Sequence, residues 1–265
     1  MTLFGLIAIY LTLGAFAGVL AGLFGIGGGM IIVPVLIFSL QSQGIGLDLA
    51  AHMAVGTSLA TIVFTSISSI RAHHRRGAVR WDLFRPMAVG IIFGAALGAW
   101  TASLLSGDTL TLIIGVFAIA VSIKMFFDVV PKPGRDVPAL GGLGLAGGGI
   151  GWASAIFGIG GGTLTVPFLS WCGVRMQQAV ATSAACGLPI AVAGALANVG
   201  TGWGKPGLPE YSLGFVYMPA LLGIIATSVF CARFGATLAH RLDARKLKQL
   251  FAILLFIVGI KFLFA

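Results

Sequence analysis

Charged side chains are scarce in this 265-residue sequence, and their scarcity is its most informative property. Only 9% of the residues are Asp, Glu, Lys or Arg, whereas a soluble domain carries about 25%. With 58% hydrophobic residues, a soluble chain would lack the polar groups needed to cover its surface. The composition therefore excludes a cytosolic enzyme and a disordered chain, and it predicts an all-α polytopic membrane protein.

Cysteine is also scarce, with three residues in the whole chain. Cys172, Cys186 and Cys231 lie in apolar stretches and show none of the CxxC or Cys/His spacings that are typical of metal sites. We interpret them as small buried hydrophobic residues. The sequence therefore predicts neither a disulfide framework nor a bound metal ion or other cofactor.

Ionisable side chains are almost missing from the apolar stretches. All seven acidic residues map to loops or helix ends, so the sequence does not indicate a relay of carboxylates for protons. Lys124 and Lys261 lie close enough to helix ends to extend toward the membrane interface. His52 opens an apolar segment and could titrate near neutral pH, but we interpret it as a capping or interfacial residue.

Catalytic motifs are missing as well, since the chain contains no GxSxG, no HExxH and no intramembrane pair of aspartates. A glycine-rich run with Asp48 about 20 residues further on resembles a dinucleotide-binding motif, but that motif requires a preceding strand. We therefore expect no enzyme activity. The net charge of +9 comes from loop residues, which favours anionic lipids over nucleic acid as a partner.

What the chain does contain is ten apolar segments, eight of them read as membrane-spanning helices. The segments are 3–23, 30–40, 50–70, 83–105, 110–129, 140–157, 163–172, 176–199, 213–234 and 250–264. The short segments 30–40 and 163–172 are predicted to be half-helices. The first segment has no cleavage site and is interpreted as a retained helix, and Pro189 is expected to break the eighth.

The two halves of the chain share a series of motifs in one order. The run Phe-Gly-Ile-Gly-Gly-Gly at 24–29 recurs at 157–162, and each copy is followed by Val-Pro. An Ala-x-x-Thr-Ser motif follows at 54–58 and again at 179–183. We interpret the chain as a tandem duplication, with a first repeat at 1–130, a cytoplasmic linker at 131–138 and a second repeat at 139–265.

The distribution of basic residues predicts how the repeats lie in the membrane. The first repeat has five arginines between 71 and 85, whereas the equivalent loop at 200–210 has only Lys205. The next pair of loops is reversed, because 106–108 has no cation and 233–248 has five. By the positive-inside rule, equivalent loops lie on opposite faces and both termini lie outside. Inverted repeats of this kind are typical of secondary transporters.

Two glycine-rich turns precede the short segments and are the main candidate site. Free N–H groups at the start of a helix attract anions without any basic side chain. We expect the turns to meet across the pseudo-two-fold axis and to bind a small anion. The alternative is that the glycines serve only close helix packing. The candidate residues are Gly25, Gly27, Gly28, Gly29, Gly158, Gly160, Gly161, Gly162 and Thr163.

Four hydroxyl residues on the third and eighth segments complete the candidate site. Thr57, Ser58, Thr182 and Ser183 could donate hydrogen bonds to a bound oxyanion. The alternative is a hydroxyl that bonds back to a carbonyl of its own helix, which is common for Ser and Thr in membrane helices.

With these motifs the chain resembles the TauE/SafE family of sulfite exporters. The resemblance rests on the glycine runs with Val33-Pro34 and Val166-Pro167, and on the Ala-x-x-Thr-Ser motif after each. It covers essentially the whole length and implies export of sulfite or organosulfonates from the cytoplasm through the cell inner membrane. The copies differ, because Met30 and Ile32 correspond to Thr163 and Thr165.

The resulting hypothesis is an anion transporter that works by rocking or gating around a midplane site. Its partners would be the anion and membrane lipids, and a homo-oligomer is compatible with the sequence. The rival hypothesis is a membrane assembly or interaction scaffold without transport activity, in which the glycines serve only packing.

Overall fold

The computed structural model describes residues 3–24, 28–127, 134, 136–238 and 244–264, and ten helices lie within them. The helices are α1 (Leu3–Phe24), α2 (Gly29–Ser42), α3 (Leu47–His74), α4 (Trp81–Ser103), α5 (Gly107–Phe126), α6 (Leu140–Ile156), α7 (Gly162–Trp171), α8 (Met176–Gly202), α9 (Met218–Leu238) and α10 (Ala244–Leu263). Two short strands, β1 (Ser212–Leu213) and β2 (Val216–Tyr217), pair antiparallel. The predicted all-α class is confirmed.

Four of these helices are long and apolar enough to cross a membrane by themselves, namely α3, α4, α5 and α8. Shorter apolar stretches lie within α1, α2, α6, α9 and α10. Helix α2 has 14 residues and α7 has 10, so they extend for about 21 and 15 Å at about 1.5 Å per residue. Neither reaches across a hydrocarbon core of about 30 Å, as expected for half-helices.

Two sequence predictions about the second half are wrong. The ninth helix begins at Met218 and not at residue 213, because Gly214, with a φ of +56°, turns the chain into the β1–β2 hairpin. Helix α8 also runs without interruption through Pro189. A proline removes a single backbone hydrogen bond, and the remaining bonds and the burial of this helix hold it together.

Glycines bring two pairs of parallel helices into backbone contact. Along α4, three glycines one turn apart face α6, with Gly90 beside Gly144, Gly94 beside Gly148 and Gly98 beside Trp152. Along α1, Gly14 lies beside Ile224 of α9 and Gly18 beside Ser228. Small residues at this spacing let membrane helices approach closely enough for backbone contact.

The centre of the molecule is the antiparallel pair α3 and α8. Gly56 lies beside Asn198 at one end of this pair, and Ser66 lies beside Gly187 toward the other end. Helices α2 and α7 pack against this pair, so both glycine-rich turns are held next to the buried core. The inverted relation of the two halves stays a prediction.

Candidate functional site

The two glycine-rich turns lie against each other. A methyl group at Gly29, the first residue of α2, would lie 2.6 Å from the carbonyl oxygen of Gly158 and 3.1 Å from the Cα of Ile159. Gly28 caps α2 and Gly161 caps α7. The beginnings of the two short helices therefore converge, whereas Gly25 and Gly27 of the predicted site lie outside the described residues.

Gly158 is the residue that requires glycine most clearly. Its φ is +63°, a left-handed conformation that other residues adopt at a cost. A side chain there would also meet the Cγ2 of Val33 at 2.8 Å and the Cα of Val55 at 3.0 Å. The hydroxyl of Ser58 donates a 2.7 Å hydrogen bond to its carbonyl. The first repeat therefore holds the second turn in place.

The remaining glycines of the second turn permit close packing against α3 and α8. A methyl group at Gly160 would contact Ile62 at 3.4 Å. One at Gly161 would lie 2.6 Å from the carbonyl oxygen of Ser183 and 3.0 Å from the amide nitrogen of Gly187. Helix α7 begins at the next residue, Gly162. Packing thus explains the need for glycine at these positions, whatever else the turn does.

Within the described part of the chain, the first turn of α7 presents polar groups without hydrogen-bond partners. Its first helical hydrogen bond runs from the N–H of Thr165 to the carbonyl of Gly161, at 2.8 Å. The N–H groups of Gly162, Thr163 and Leu164 come before that bond and have no acceptor within their own helix. The Thr163 side chain is 9% exposed, and its hydroxyl has no hydrogen-bond partner among the described residues.

Thr57 and Thr182 accept hydrogen bonds at the beginnings of two other helices. The Thr57 hydroxyl accepts from the N–H of Tyr217, just ahead of α9, at 2.9 Å. The Thr182 hydroxyl accepts from the N–H of Arg80, which caps α4, at 3.0 Å. Neither hydroxyl donates a hydrogen bond to another described residue, so both protons remain available.

Ser58 and Ser183 have already committed their hydroxyl protons. Ser58 donates to Gly158, as described above, and Ser183 donates to the carbonyl of Val180 in its own helix at 2.8 Å. The second of these is the back-bonded geometry that the sequence analysis left open. A role of either serine in binding an anion would require its present bond to break.

The predicted hydroxyls do not form one group. Because α3 and α8 are antiparallel, Thr57 lies near the end of α8 and Thr182 lies near the end of α3. The register of the pair places them about 20 Å apart along the helices, at about 1.5 Å per residue. The structure therefore brings the two turns together, with the Ser58 side chain at Gly158 and the Ser183 carbonyl at Gly161. Thr57 and Thr182 lie far apart along the pair, and so do the side chains of Ser58 and Ser183, which follow them in the chain.

A polar cluster around Tyr10 was missed by the sequence analysis. The buried Tyr10 hydroxyl accepts a 2.9 Å hydrogen bond from the side-chain amide of Gln43 and lies 3.5 Å from the Ser39 hydroxyl. The Tyr10 ring packs edge-to-face on Tyr217, with centroids 6.1 Å apart. Burial, with a contribution from Tyr10, raises the pKa of Tyr217. The sequence feature that could have indicated this cluster is the rarity of tyrosine, which occurs three times in the chain.

Comparison with known proteins identifies the family. The model of the sulfite exporter TauE/SafE family matches residues 10–262. The chain belongs to this family. A Haemophilus influenzae protein named "Probable membrane transporter protein" is 39% identical over 97% of this chain and 98% of its own length. No solved structure shows a significant match.

More distant relatives carry similar names. A Methanocaldococcus jannaschii protein named "Probable membrane transporter protein MJ0441" is 26% identical over 96% of this chain and 94% of its own length. The Bacillus subtilis "Probable membrane transporter protein YunE" is 24% identical, with 97% of both chains covered. Together with its apolar helices, these matches identify this TauE/SafE protein as a membrane transporter.

Proposed function

We propose that this TauE/SafE protein is a secondary transporter that exports sulfite or organosulfonates from the cytoplasm across the inner membrane. The family description supports a small sulfur oxyanion as the substrate. In this proposal the two halves are inverted repeats, and they alternate access to a site at the two glycine-rich turns. The linker 131–138 connects them on the cytoplasmic side.

The observation that carries the proposal is the set of hydrogen-bond donors in the first turn of α7 that have no acceptor within their own helix. Three N–H groups precede the first helical bond, and the buried Thr163 hydroxyl beside them has no partner among the residues that the structure describes. In a helix the Cα–Cβ bonds tilt toward the N-terminus, which brings the Thr163 side chain near these amides. Such a set suits an oxyanion, which offers several acceptors and no donor.

The chemistry around the turns supports weak and reversible binding. Helices α2 and α7 contain no charged residue, and His52 is the one ionisable residue of α3 between Asp48 and Arg71. If an anion is held only by backbone amides and hydroxyls, its release does not have to break an ion pair with a basic side chain. A transporter needs release as well as binding, and a site built from dipoles allows both.

Thr163→Val tests this proposal because it removes the hydroxyl with almost no change in shape. Loss of a hydrogen bond to a charged group costs about 1.5–3 kcal/mol, so we expect the apparent affinity for sulfite to fall about tenfold or more. The measurement is sulfite flux in proteoliposomes across a concentration series. Thr163→Ser retains the hydroxyl and should restore the affinity.

Thr165→Val is the matched control for this experiment. Thr165 is also buried, and its hydroxyl has no partner in the described ranges, but it lies two residues further along α7 and points to another face. We expect the sulfite flux of Thr165→Val to resemble that of the unaltered protein. Unchanged affinity in Thr163→Val, or an equal loss in Thr165→Val, would contradict a donor role for Thr163.

The competing scaffold hypothesis is favoured by the tight packing of Gly161 against Ser183. It predicts that changes at the glycines abolish folding and that Thr163→Val has no effect on any flux. A measurable flux of sulfite or a sulfonate by the purified protein separates the two hypotheses. Sulfate serves as a further anion in the same assay and defines selectivity.

A further inference from the structure

His52 has an unusual hydrogen-bonding environment in the second turn of α3. It is 5% exposed, and both of its ring nitrogens lie close to backbone carbonyl oxygens. The Nδ1 atom is 2.6 Å from the carbonyl oxygen of Asp48, and the Nε2 atom is 3.0 Å from that of Ala102 in the last turn of α4. The ring stacks on Phe215, with centroids 5.1 Å apart.

These two contacts require two protons on the ring. A carbonyl oxygen can only accept a hydrogen bond, and a neutral imidazole has a single N–H. Both contacts are therefore hydrogen bonds only in the imidazolium form. In the neutral form, one nitrogen would direct its lone pair at a carbonyl oxygen. The end of α4 also carries partial negative charge, which attracts a cation.

Asp48, one turn earlier on α3, contacts the other end of the short loop that joins α4 to α5. Its Oδ1 atom accepts a 2.5 Å hydrogen bond from the N–H of Gly107, where α5 begins. The first two turns of α3 therefore hold the end of α4 through an imidazole and the start of α5 through a carboxylate. We refer to Asp48 and His52 as the α3 clip.

Few other ionisable groups belong to the elements around His52. Asp108 lies in the first turn of α5, and Lys205 and Glu210 lie in the loop that leads to Phe215. The charged residues of α4, Asp82 and Arg85, belong to the opposite end of that helix. His52 is thus the group at this end of α3 whose two hydrogen bonds depend on how many protons its ring carries.

We propose that His52 is a proton-binding site, in which a proton taken up from water by the ring locks α3 onto the α4–α5 connection. Release of that proton leaves one carbonyl without a donor and loosens the clip. Six residues further along α3, about 9 Å away, Ser58 holds the carbonyl of Gly158. Proton occupancy at His52 therefore acts on the helix that supports the glycine-rich turns. This inference does not depend on which anion is carried.

Ring ¹⁵N chemical shifts test the proposal directly. The variant H73Q/H74Q/H240Q retains His52 as its only histidine, so its two ring nitrogens can be assigned without changing the clip. We expect both nitrogens to carry a proton in the folded protein at low pH, and one to lose it as the pH rises. A ring that keeps one bare nitrogen over the whole range in which the protein is folded would overturn the proposal.

The stability of the purified protein gives a second, independent measurement. Because the clip favours the protonated ring, its contribution is present at low pH and is lost as pH rises. We expect the melting temperature to fall by a few degrees as the pH is raised over the range in which the protein stays folded.

His52→Gln should remove this contribution, because glutamine does not titrate, whereas the control His74→Gln, at an exposed histidine, should retain it. The same slope in His52→Gln as in the unaltered protein would overturn the proposal. If His52→Gln does not fold, the ¹⁵N measurement decides, since it leaves His52 in place.

Discussion

At the scale of single residues, Thr57 and Thr182 have equivalent positions and equivalent contacts. Each lies in an Ala-x-x-Thr-Ser motif, and each accepts a hydrogen bond from an N–H at the beginning of a helix in the other half. Such N–H groups have no carbonyl partner in their own helix. A side chain of one half therefore caps a helix of the other, which couples the two halves.

Thr57→Val removes one of these acceptors at nearly constant volume. The N–H of Tyr217 would then be buried without a partner, which costs about 1–3 kcal/mol. We expect a lower melting temperature in detergent. Thr57→Ser keeps an acceptor oxygen and should remain close to the unaltered protein. Equal stability of the valine and serine variants would contradict this account.

Ser183→Ala is the control for that experiment. Among the described residues the Ser183 hydroxyl bonds only to Val180 in its own helix, whose carbonyl can remain in the helical ladder without it. We expect a change within about 0.5 kcal/mol.

The partners of these hydroxyls were beyond prediction from the sequence. The Thr-Ser pairs could be identified as candidates because the same residues recur after each glycine run. The N–H that Thr57 satisfies belongs to Tyr217, 160 residues away. Tyr217 lies in a hairpin whose second strand was assigned to the ninth apolar segment. Similarly, the sequence predicted His52 as a capping or interfacial residue, whereas it is buried, and its contact with Ala102 depends on the register between α3 and α4.

At the scale of helices, close backbone contact decides which neighbours pack together. The α4–α6 pair meets along three glycines of α4, and a methyl group at Gly94 would overlap the carbonyl oxygen of Gly148. In lipid there is little hydrophobic drive between helices, so association relies on such packing. The two helices would have to separate if this surface were enlarged.

Gly94→Ala and Gly149→Ala test this packing with the same substitution. Gly94 faces α6, whereas Gly149, on α6 itself, is exposed and has open space where a methyl group would go. We expect Gly94→Ala to lower thermal stability and the yield of monodisperse protein, and Gly149→Ala to leave both unchanged. Equal behaviour of the two variants would show that the α4–α6 contact does not limit stability.

The existence of the helices could be predicted from the sequence more readily than their neighbours. A run of apolar residues gives a membrane helix, and a glycine run before a Val-Pro pair gives a short one, as α2 and α7 show. In lipid, however, an apolar surface does not reveal which side faces another helix. The continuity of α8 through Pro189 was not predicted, because the helix is stabilised by packing against neighbouring helices that cannot be deduced from the sequence.

At the scale of the whole molecule, the helix directions agree with the proposed inverted repeat. Helix α1 runs parallel to α9, and α6 runs parallel to α4, so exchanging the halves converts one pair into the other. The pairs α3–α8 and α5–α10 are each antiparallel, and the same exchange maps each pair onto itself. These relations support the proposed inversion. The side of the membrane on which each loop lies can be measured by a labelling experiment.

Cysteine labelling of a variant without the three native cysteines provides that experiment. Four exposed positions are informative: Ser106 and Lys205, which lie at the end of the molecule that contains the α3 clip, and Arg76 and Asp136, which belong to the other end. We expect a membrane-impermeant maleimide to label cysteines at 106 and 205 from outside the cell, and those at 76 and 136 only after the membrane is opened, because basic loops stay in the cytoplasm. Labelling of 205 together with 76, from either face, would contradict the inversion of the second repeat.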